Sequence, residues 1–378
     1  MKQLSALTSI AVFSTLMFVS SASAAVDNDA AVVQVRSQCM ESGAALNNCF
    51  TDTYSLTTWM KDIRRPNAAK PLEVRIGPGT FGGLVMRCDS ATGYTGYTSF
   101  IGAGREQTTL EEIGSSVVGS RNCTNFGFSD LRVHGVTYAY IIWNGGGTST
   151  WHNVDVDTPA RAWAESVCGS TRGNHYWFGS RIIATGAVSI ADTYNATCDE
   201  SWFFGSEIGI VLSADQVNTA TALKASGSGE LHVYGSVIRV KASATSTANP
   251  GLVAASATAN GIIHIHGTGI DMLSTPGNRI AVLVGNTGGM IHANQTSYNL
   301  STGAGGSVAR IVNSDGLGHI HAPYQWEAHP TPPVIQSVTG ADTAVVTSGT
   351  SDGHPHMVIY DSSCVSKWYD MTDKACRP

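Results

Sequence analysis

The chain has 378 residues, with 28 acidic and 22 basic side chains, a formal net charge of -6, 13% charged residues and 42% hydrophobic ones. That balance excludes a strongly basic nucleic-acid binder, and it supplies enough apolar material for a sizeable core, which excludes a disordered chain. Glycine is frequent, at 41 residues, and the length suits two domains or one elongated all-β unit.

Residues 1–24 read as an export signal. Lys2 precedes an apolar run from Leu4 to Val19, and Ala22-Ser23-Ala24 supplies the small residues of a cleavage site. The run is broken by Ser and Thr and falls short of the ~20 residues a membrane span needs. The expected mature chain starts near Ala25, carries no membrane span, and is a secreted or periplasmic monomer of bacterial-type export. All eight cysteines follow the cleavage site: Cys39, Cys49, Cys88, Cys123, Cys168, Cys198, Cys364 and Cys376. An even count in an exported chain implies disulfides. Pairing sequence neighbours joins 39 to 49, 88 to 123, 168 to 198 and 364 to 376, although spacing alone does not fix connectivity. No C-x-x-C pair is present, so structural zinc is not expected.

Residues 25–71 are expected to form a partly helical N-terminal cap. Cys39 to Phe50 and Tyr54 to Ile63 mix apolar and polar positions at helical spacing, and Arg64-Arg65-Pro66 ends the stretch. From Leu72 the texture changes to short β-branched and aromatic runs between Gly, Ser, Thr and Asn, which predicts many short strands. One unit then recurs: an alternating apolar strand, a small residue, and a second apolar pair. It reads LRVHGV (131–136), YWFGSRI (176–182), WFFGSEI (202–208), LHVYGSVI (231–238) and IHIHGTGI (263–270), with degenerate copies IHANQTSY (291–298) and IHAPYQW (320–326). A long first gap leaves room for a coil containing WHNVDVDT (151–158). So short an all-strand unit cannot close a core alone and must stack on copies of itself. The expected fold is therefore an all-β solenoid over 72–328, with a sandwich as the alternative. A C-terminal cap over 329–378 would carry strands at Val334–Val338, Thr343–Thr347 and Met357–Tyr360 and a disulfide loop.

In IHIHG the Ile side chains must face inward, so the His side chains face out. Carrying that phase along the repeat predicts one outward column of Arg132, Asp155, Tyr176, Trp202, His232, His264, His292 and His321. A second column reads His134, Asp157, Phe178, Phe204, Tyr234, His266 and Asn294. The resulting face sets Arg132 with Asp155 and Asp157 as catalytic groups. His134, Tyr176, Trp202, His232 and His264 stand beside them to hold the sugar rings of an acidic or acylated saccharide. An internal or shielding aromatic stack is the alternative. Asp155 and Asp157 face one side at about 7 Å, a spacing that suits paired acid/base chemistry or calcium, or simply a solvated strand. The His column has no interleaved carboxylate. A ladder of neutral imidazoles is expected there, not a metal site.

LEVRIGPGTFGG (72–83) followed by FIGAGREQTTL (100–110) resembles the opening coils of the pectin lyase-like superfamily, where a strand, P-G-x-Y/F, and a strand ending in I-G-x-G-x-x-x-T follow one another. Pectin methylesterases are similar in this stretch. The resemblance implies a right-handed parallel β-helix. ADTYN (191–195) is similar to the methylesterase Q-D-T-L segment, which implies a catalytic role for Asp192, with Ala191 in place of the Gln. The D-F-I-F-G and L-G-R-P-W segments of that family have no counterpart, and RAWAES (161–166) offers Arg161 as a further cleft residue. Lyases of the superfamily use a basic residue against the proton alpha to a uronate carboxylate, often with calcium. Together these readings predict a secreted, carbohydrate-active protein acting on an acidic polysaccharide such as pectin, lyase or hydrolase ahead of esterase, with calcium as the one cofactor to consider. A non-catalytic, adhesin-like or glycan-binding solenoid is the alternative.

Overall fold

The computed structural model describes residues 26–42, 44–112, 117–136, 147–159, 161–164, 172–185, 192–312 and 319–321, with 344–347, 356–360, 368–370 and 375–376 near the C-terminus. The expected signal over 1–24, Ala191, Cys168, Cys364, Val334–Val338 and the side chain of Cys376 lie outside them.

The described chain is all-β apart from one short helix, and about seven turns of parallel solenoid stack along one axis. Parallel strands cannot be joined by a tight hairpin. The chain instead leaves each strand for a neighbouring sheet and returns one coil higher. A first sheet of twelve strands reaches from the Val32–Val35 end to His319–His321. A second, of nine, runs from Gly79–Gly82 to Ser297–Ser301, and a third, of six, from Trp163–Ala164 to Ser307–Val312.

The corner between the first and second sheets explains the small residues of the repeat. Gly179, Gly205, Gly235 and Gly267 all adopt φ between 53° and 56°. That left-handed conformation is open to Gly and, at a lower penalty than for other residues, to Asn and Asp. Asp130 and Asn153 hold the same corner at φ 55° and 54° in earlier coils, and Asn153 donates to the Asp130 carboxylate at 2.7 Å. The residue after each corner is buried. There Ser180, Ser206 and Ser236 form a hydroxyl ladder, each accepting the backbone N–H of the preceding coil at 3.1–3.3 Å.

This geometry corrects the alignment of the early coils. LRVHGV and VDVDT do not belong to the first sheet. Its members there are Asn125–Ser129 and Thr148–His152, while Arg132–His134 and Asp155–Thr158 pair in the second. The repeat aligns Gly135 of LRVHGV with the corner glycines, yet Asp130 is the equivalent residue. The later rungs stand as expected: Tyr176, Trp202, His232, His264, His292 and His321 are in one register, as are Phe178, Phe204, Tyr234, His266 and Asn294.

The superfamily-like segment builds the first turns. Thr108 is buried, accepts Ala103 N–H at 2.9 Å and donates to the Gly77 carbonyl at 2.9 Å, so the final Thr of that pattern ties one coil to the next. A Cβ on Gly102 would lie 2.2 Å from the Asp130 carbonyl oxygen, which leaves room only for glycine. Inside, alternate residues of the first sheet form an aromatic column. Phe100, Phe128, Trp151 and Trp177 stack at 4.6–4.8 Å, and Phe203 follows at 6.3 Å.

At the N-terminal side, Asp52 caps a helix over Thr53–Trp59 by accepting Ser55 N–H at 2.6 Å, and the helix closes in a π turn over Met60–Arg64. Leu56, Trp59 and Met60 are its buried face. Tyr54–Ile63 is therefore helical as expected. Cys39–Phe50 is not: Met40–Glu41 and Ala44–Ala45 form an antiparallel hairpin, and Cys49–Phe50 joins the first sheet. Ser42 and Asn48 carry positive φ, incompatible with a continuous helix. The Cys39–Cys49 and Cys88–Cys123 disulfides are present, and Cys198 is disulfide-bonded. Near the C-terminus, Ala344–Thr347, His356–Tyr360, Trp368–Asp370 and Ala375–Cys376 pair antiparallel.

The corner account predicts a graded response at Gly205, where a Cβ would meet nothing within 4 Å, so any penalty is conformational. Gly205→Val is expected to destabilise by about 1–2 kcal/mol, and Gly205→Asn by less. Denaturant midpoints of the two variants check this ordering.

Candidate functional site

Among the described residues, two clusters that combine histidines with carboxylates and an arginine decorate the outside of the solenoid. The first lies on the second sheet. Arg132 grips Asp157 with both ends of its fork, Nε to Oδ1 at 2.8 Å and Nη2 to Oδ2 at 2.7 Å. His134 Nδ1 meets the same Oδ2 at 2.9 Å. Burial pushes the Asp157 carboxyl up, but the hydrogen bonds and charges of Arg132 and His134 outweigh it and hold it below the usual carboxylate range. An ionised Asp157 accepts the hydrogen of His134 Nδ1, so in the neutral imidazole the lone pair is on Nε2. The imidazole and the guanidinium are 36% and 42% exposed. Asp155 is committed elsewhere, to Arg181 at 3.0 Å. The two aspartates thus share a face as expected, but each is bound to its own arginine.

The first sheet carries the rings. Tyr176, Trp202, His232, His264 and His292 stack at 4.8–5.1 Å with interplanar angles of 7–9°. Phe178, Phe204, Tyr234 and His266 form a parallel ladder at 5.2–5.5 Å. The rings cover one another's faces, so a ligand meets mainly their edges. Beyond Tyr176 the column continues through Thr150, Gly127 and Ser99. These small residues, with Tyr97, Asn125 and Pro71, line a shallow cleft of about 280 Å³, close to the lower limit for a small-molecule site.

The second cluster was hidden from the sequence. One residue pair before the ring ladder, Asn174, Glu200, Glu230 and Ile262 stand in register. Glu200 Oε1 and Glu230 Oε1 converge on His232 Nε2 at 2.9 and 3.1 Å, and the same Glu230 oxygen lies 3.3 Å from His264 Nε2. Arg172 meets the outer oxygens, Glu230 Oε2 at 2.9 Å and Glu200 Oε2 at 3.9 Å. The His column therefore does have interleaved carboxylates, contrary to expectation. They come from the adjacent column and reach sideways, a contact that comparing equivalent repeat positions does not reveal. Burial lowers the His264 imidazole from its ordinary value, and His232 acts the same way against the opposing Glu230.

Two further groups are buried. Asp192, 1% exposed, is ion-paired with Arg161 and lies 3.9 Å from Lys224. In the core, Ser149, His175 and Asp199 form a chain: Ser149 Oγ to His175 Nδ1 at 2.8 Å, and His175 Nε2 to Asp199 Oδ2 at 3.1 Å. Trp151 Nε1 donates to Ser149 Oγ and Gly173 N–H to Asp199 Oδ1. The residue types are those of a nucleophilic triad, but all three are buried and the Ser hydroxyl already has two partners. The arrangement satisfies polar groups inside a core.

No protein-family model matches the chain, and no curated protein matches it. Among solved structures, the A-module of the mannuronan C-5 epimerase AlgE6 of Azotobacter vinelandii is similar at 15% identity, covering 65% of this chain and 92% of that one, with a TM-score of 0.17. A likeness at that score carries no inference of function. The two described disulfides suit an oxidising compartment, and no helix among the described residues is long and apolar enough to cross a membrane.

The buried chain predicts that His175→Ala, which strips Asp199 and Ser149 of a hydrogen-bond partner in the core, destabilises by about 3 kcal/mol or more, while Ser149→Ala costs about 1–3 kcal/mol; urea unfolding measures both. Because the folded pKa of Asp157 is lowered, its contribution is complete above the unfolded value of about 3.9 and is lost as pH falls through the lower folded value. Melting curves of Asp157→Asn across acidic pH should lack that limb.

Proposed function

We propose that this is a carbohydrate-active β-helix protein of the secreted or periplasmic space that acts on an acidic polysaccharide by removing the proton alpha to a uronate carboxylate. The observation that supports this reading is the convergence of Arg132 and His134 on one carboxylate, Asp157. In it Asp157 orients the imidazole. His134 Nε2 takes the proton as general base, and its position at the surface allows a polymer to reach it. Arg132 spends two N–H groups on Asp157, and its remaining donors meet the uronate carboxylate and the charge that develops on it. In a lyase reaction the electron pair of the broken C–H bond would then form a double bond to the next carbon as that carbon's bond to the glycosidic oxygen breaks, and the departing oxygen would take a proton from the protonated His134 or from water.

Calcium does not fit the D-x-D segment. Both Asp157 oxygens accept hydrogen bonds from Arg132, and one also faces His134; Asp155 Oδ1 is taken by Arg181. No converging oxygen set remains for a hard cation. The same pairing weakens a hydrolase built on Asp155 and Asp157, since each carboxylate is taken up by its own arginine. Burial of Asp192 beneath Arg161 and Lys224 gives no support to an esterase role for it.

A second reading, binding without catalysis, is favoured by the cleft at Ser99, Gly127 and Thr150 beside the Tyr176 end of the ring ladder. There a sugar would lie against small side chains, with Tyr97, Asn125 and Pro71 around it and Tyr176 one rung beyond Thr150.

The test is turnover of uronate polysaccharides, followed by ultraviolet absorbance of unsaturated products. His134→Ala is expected to lower kcat by about 10²-fold or more, and Arg132→Lys to act mainly on KM. A folded protein that is inert across the panel, or a His134→Ala variant as active as the parent, would sink the proposal.

A further inference from the structure

The structure assigns a divalent transition-metal site, of the zinc class, to the outer face of the first sheet, with Glu200, Glu230, His232 and His264 as donors. This assignment does not rest on the function proposed above.

The geometry starts from the number of hydrogens available. His232 Nε2 lies 2.9 Å from one glutamate oxygen and 3.1 Å from another. A single N–H cannot serve both well, and Glu230 Oε1 also faces His264 Nε2 at 3.3 Å. Two imidazole nitrogens and two carboxylate oxygens thus converge across a small space. The ligand atoms of Glu230, His232 and His264 all fall within 4.8 Å of each other. Tetrahedral zinc holds N and O donors at ~2.0–2.1 Å, which sets donor-to-donor edges near ~3.3 Å. Three separations here already match that edge to within a few tenths of an ångström. The remaining separations are wider: the two imidazoles stack parallel with centroids 4.8 Å apart, and Glu200, held at His232, falls outside the set of atoms mutually within 4.8 Å. Closing the set needs a tilt of His264, whose side chain is 26% exposed, and a small inward swing of Glu200.

The surroundings favour a cation as well. Parallel register places Glu200 directly beside Glu230, and stacked like charges are destabilising. A divalent ion between their inner oxygens would remove that repulsion. Arg172 holds the outer oxygens, Glu230 Oε2 closely and Glu200 Oε2 more loosely, and so turns the inner ones toward the histidines, as outer partners do for carboxylate ligands. Two imidazoles with two carboxylates select zinc, copper or nickel over calcium or magnesium.

The experiment is isothermal titration of the untagged, chelator-stripped mature chain with zinc chloride, and in parallel with calcium chloride. One zinc per chain and no calcium uptake are expected. Glu230→Gln and His264→Ala should each weaken zinc binding at least about tenfold, and Arg172→Gln by about tenfold through lost orientation. Circular dichroism of each variant guards against unfolding. Cobalt titration of the unmodified chain gives a readout that needs no variant, the visible bands of tetrahedral coordination. Failure of the parent chain to take up zinc, zinc affinity unchanged in both Glu230→Gln and His264→Ala, or cobalt uptake without those bands would each overturn the assignment.

Discussion

In-register parallel pairing between successive coils is the constraint on which the molecule depends. Once one strand is stacked on the next, each side chain sits about 4.8 Å from its equivalent in the coils above and below. Whatever a position carries is repeated as a column. Inside, this works in favour of the fold: Phe100, Phe128, Trp151 and Trp177 meet face to face in the core. Outside, it creates a problem, because a charge repeated at that spacing repels itself.

The two sheets handle that problem differently. On the second sheet the sign alternates in register, Arg132, Asp155, Arg181, Glu207, so every charge has opposite neighbours and the column is close to neutral. On the first sheet Glu200 stands next to Glu230, and four histidines follow one another from His232 to His321. Arg172 offsets part of the repulsion from the side. A local conflict of this kind, on a surface that elsewhere resolves it, is where function is expected to reside.

The interior also departs from a purely apolar filling. Ser149 and His175 face inward from strands whose neighbouring inward positions are Trp151 and Trp177. Their chain to Asp199 has hydrogen-bond partners along its length, and Gly173 is held there because a Cβ would lie 2.8 Å from the Asp199 carboxylate. The cost of desolvating these groups is offset only while every member is present. The network links Thr148–His152, Asn174–Phe178 and Asp199 beside Glu200–Phe204, three successive coils of the first sheet.

By itself the sequence determined the all-β solenoid, the inward and outward phase of the later rungs, the helix at 54–63 and two of the disulfides. Each is local or repeats at a period, and alternation in IHIHG or LHVYG leaves one way to bury the aliphatic side chains. What only the tertiary structure decided was anything that depends on neighbours across coils. The corner falls at Asp130 and not at Gly135, because Asp130 and Asn153 also tolerate a left-handed backbone, so the corner recurs in conformation and not in residue type. The pairing of Asp157 with Arg132 and His134, and the approach of Glu200 to His232, join residues 23 to 32 positions apart. Such contacts are set by the register of stacked strands and the reach of side chains between columns, and a linear pattern carries neither.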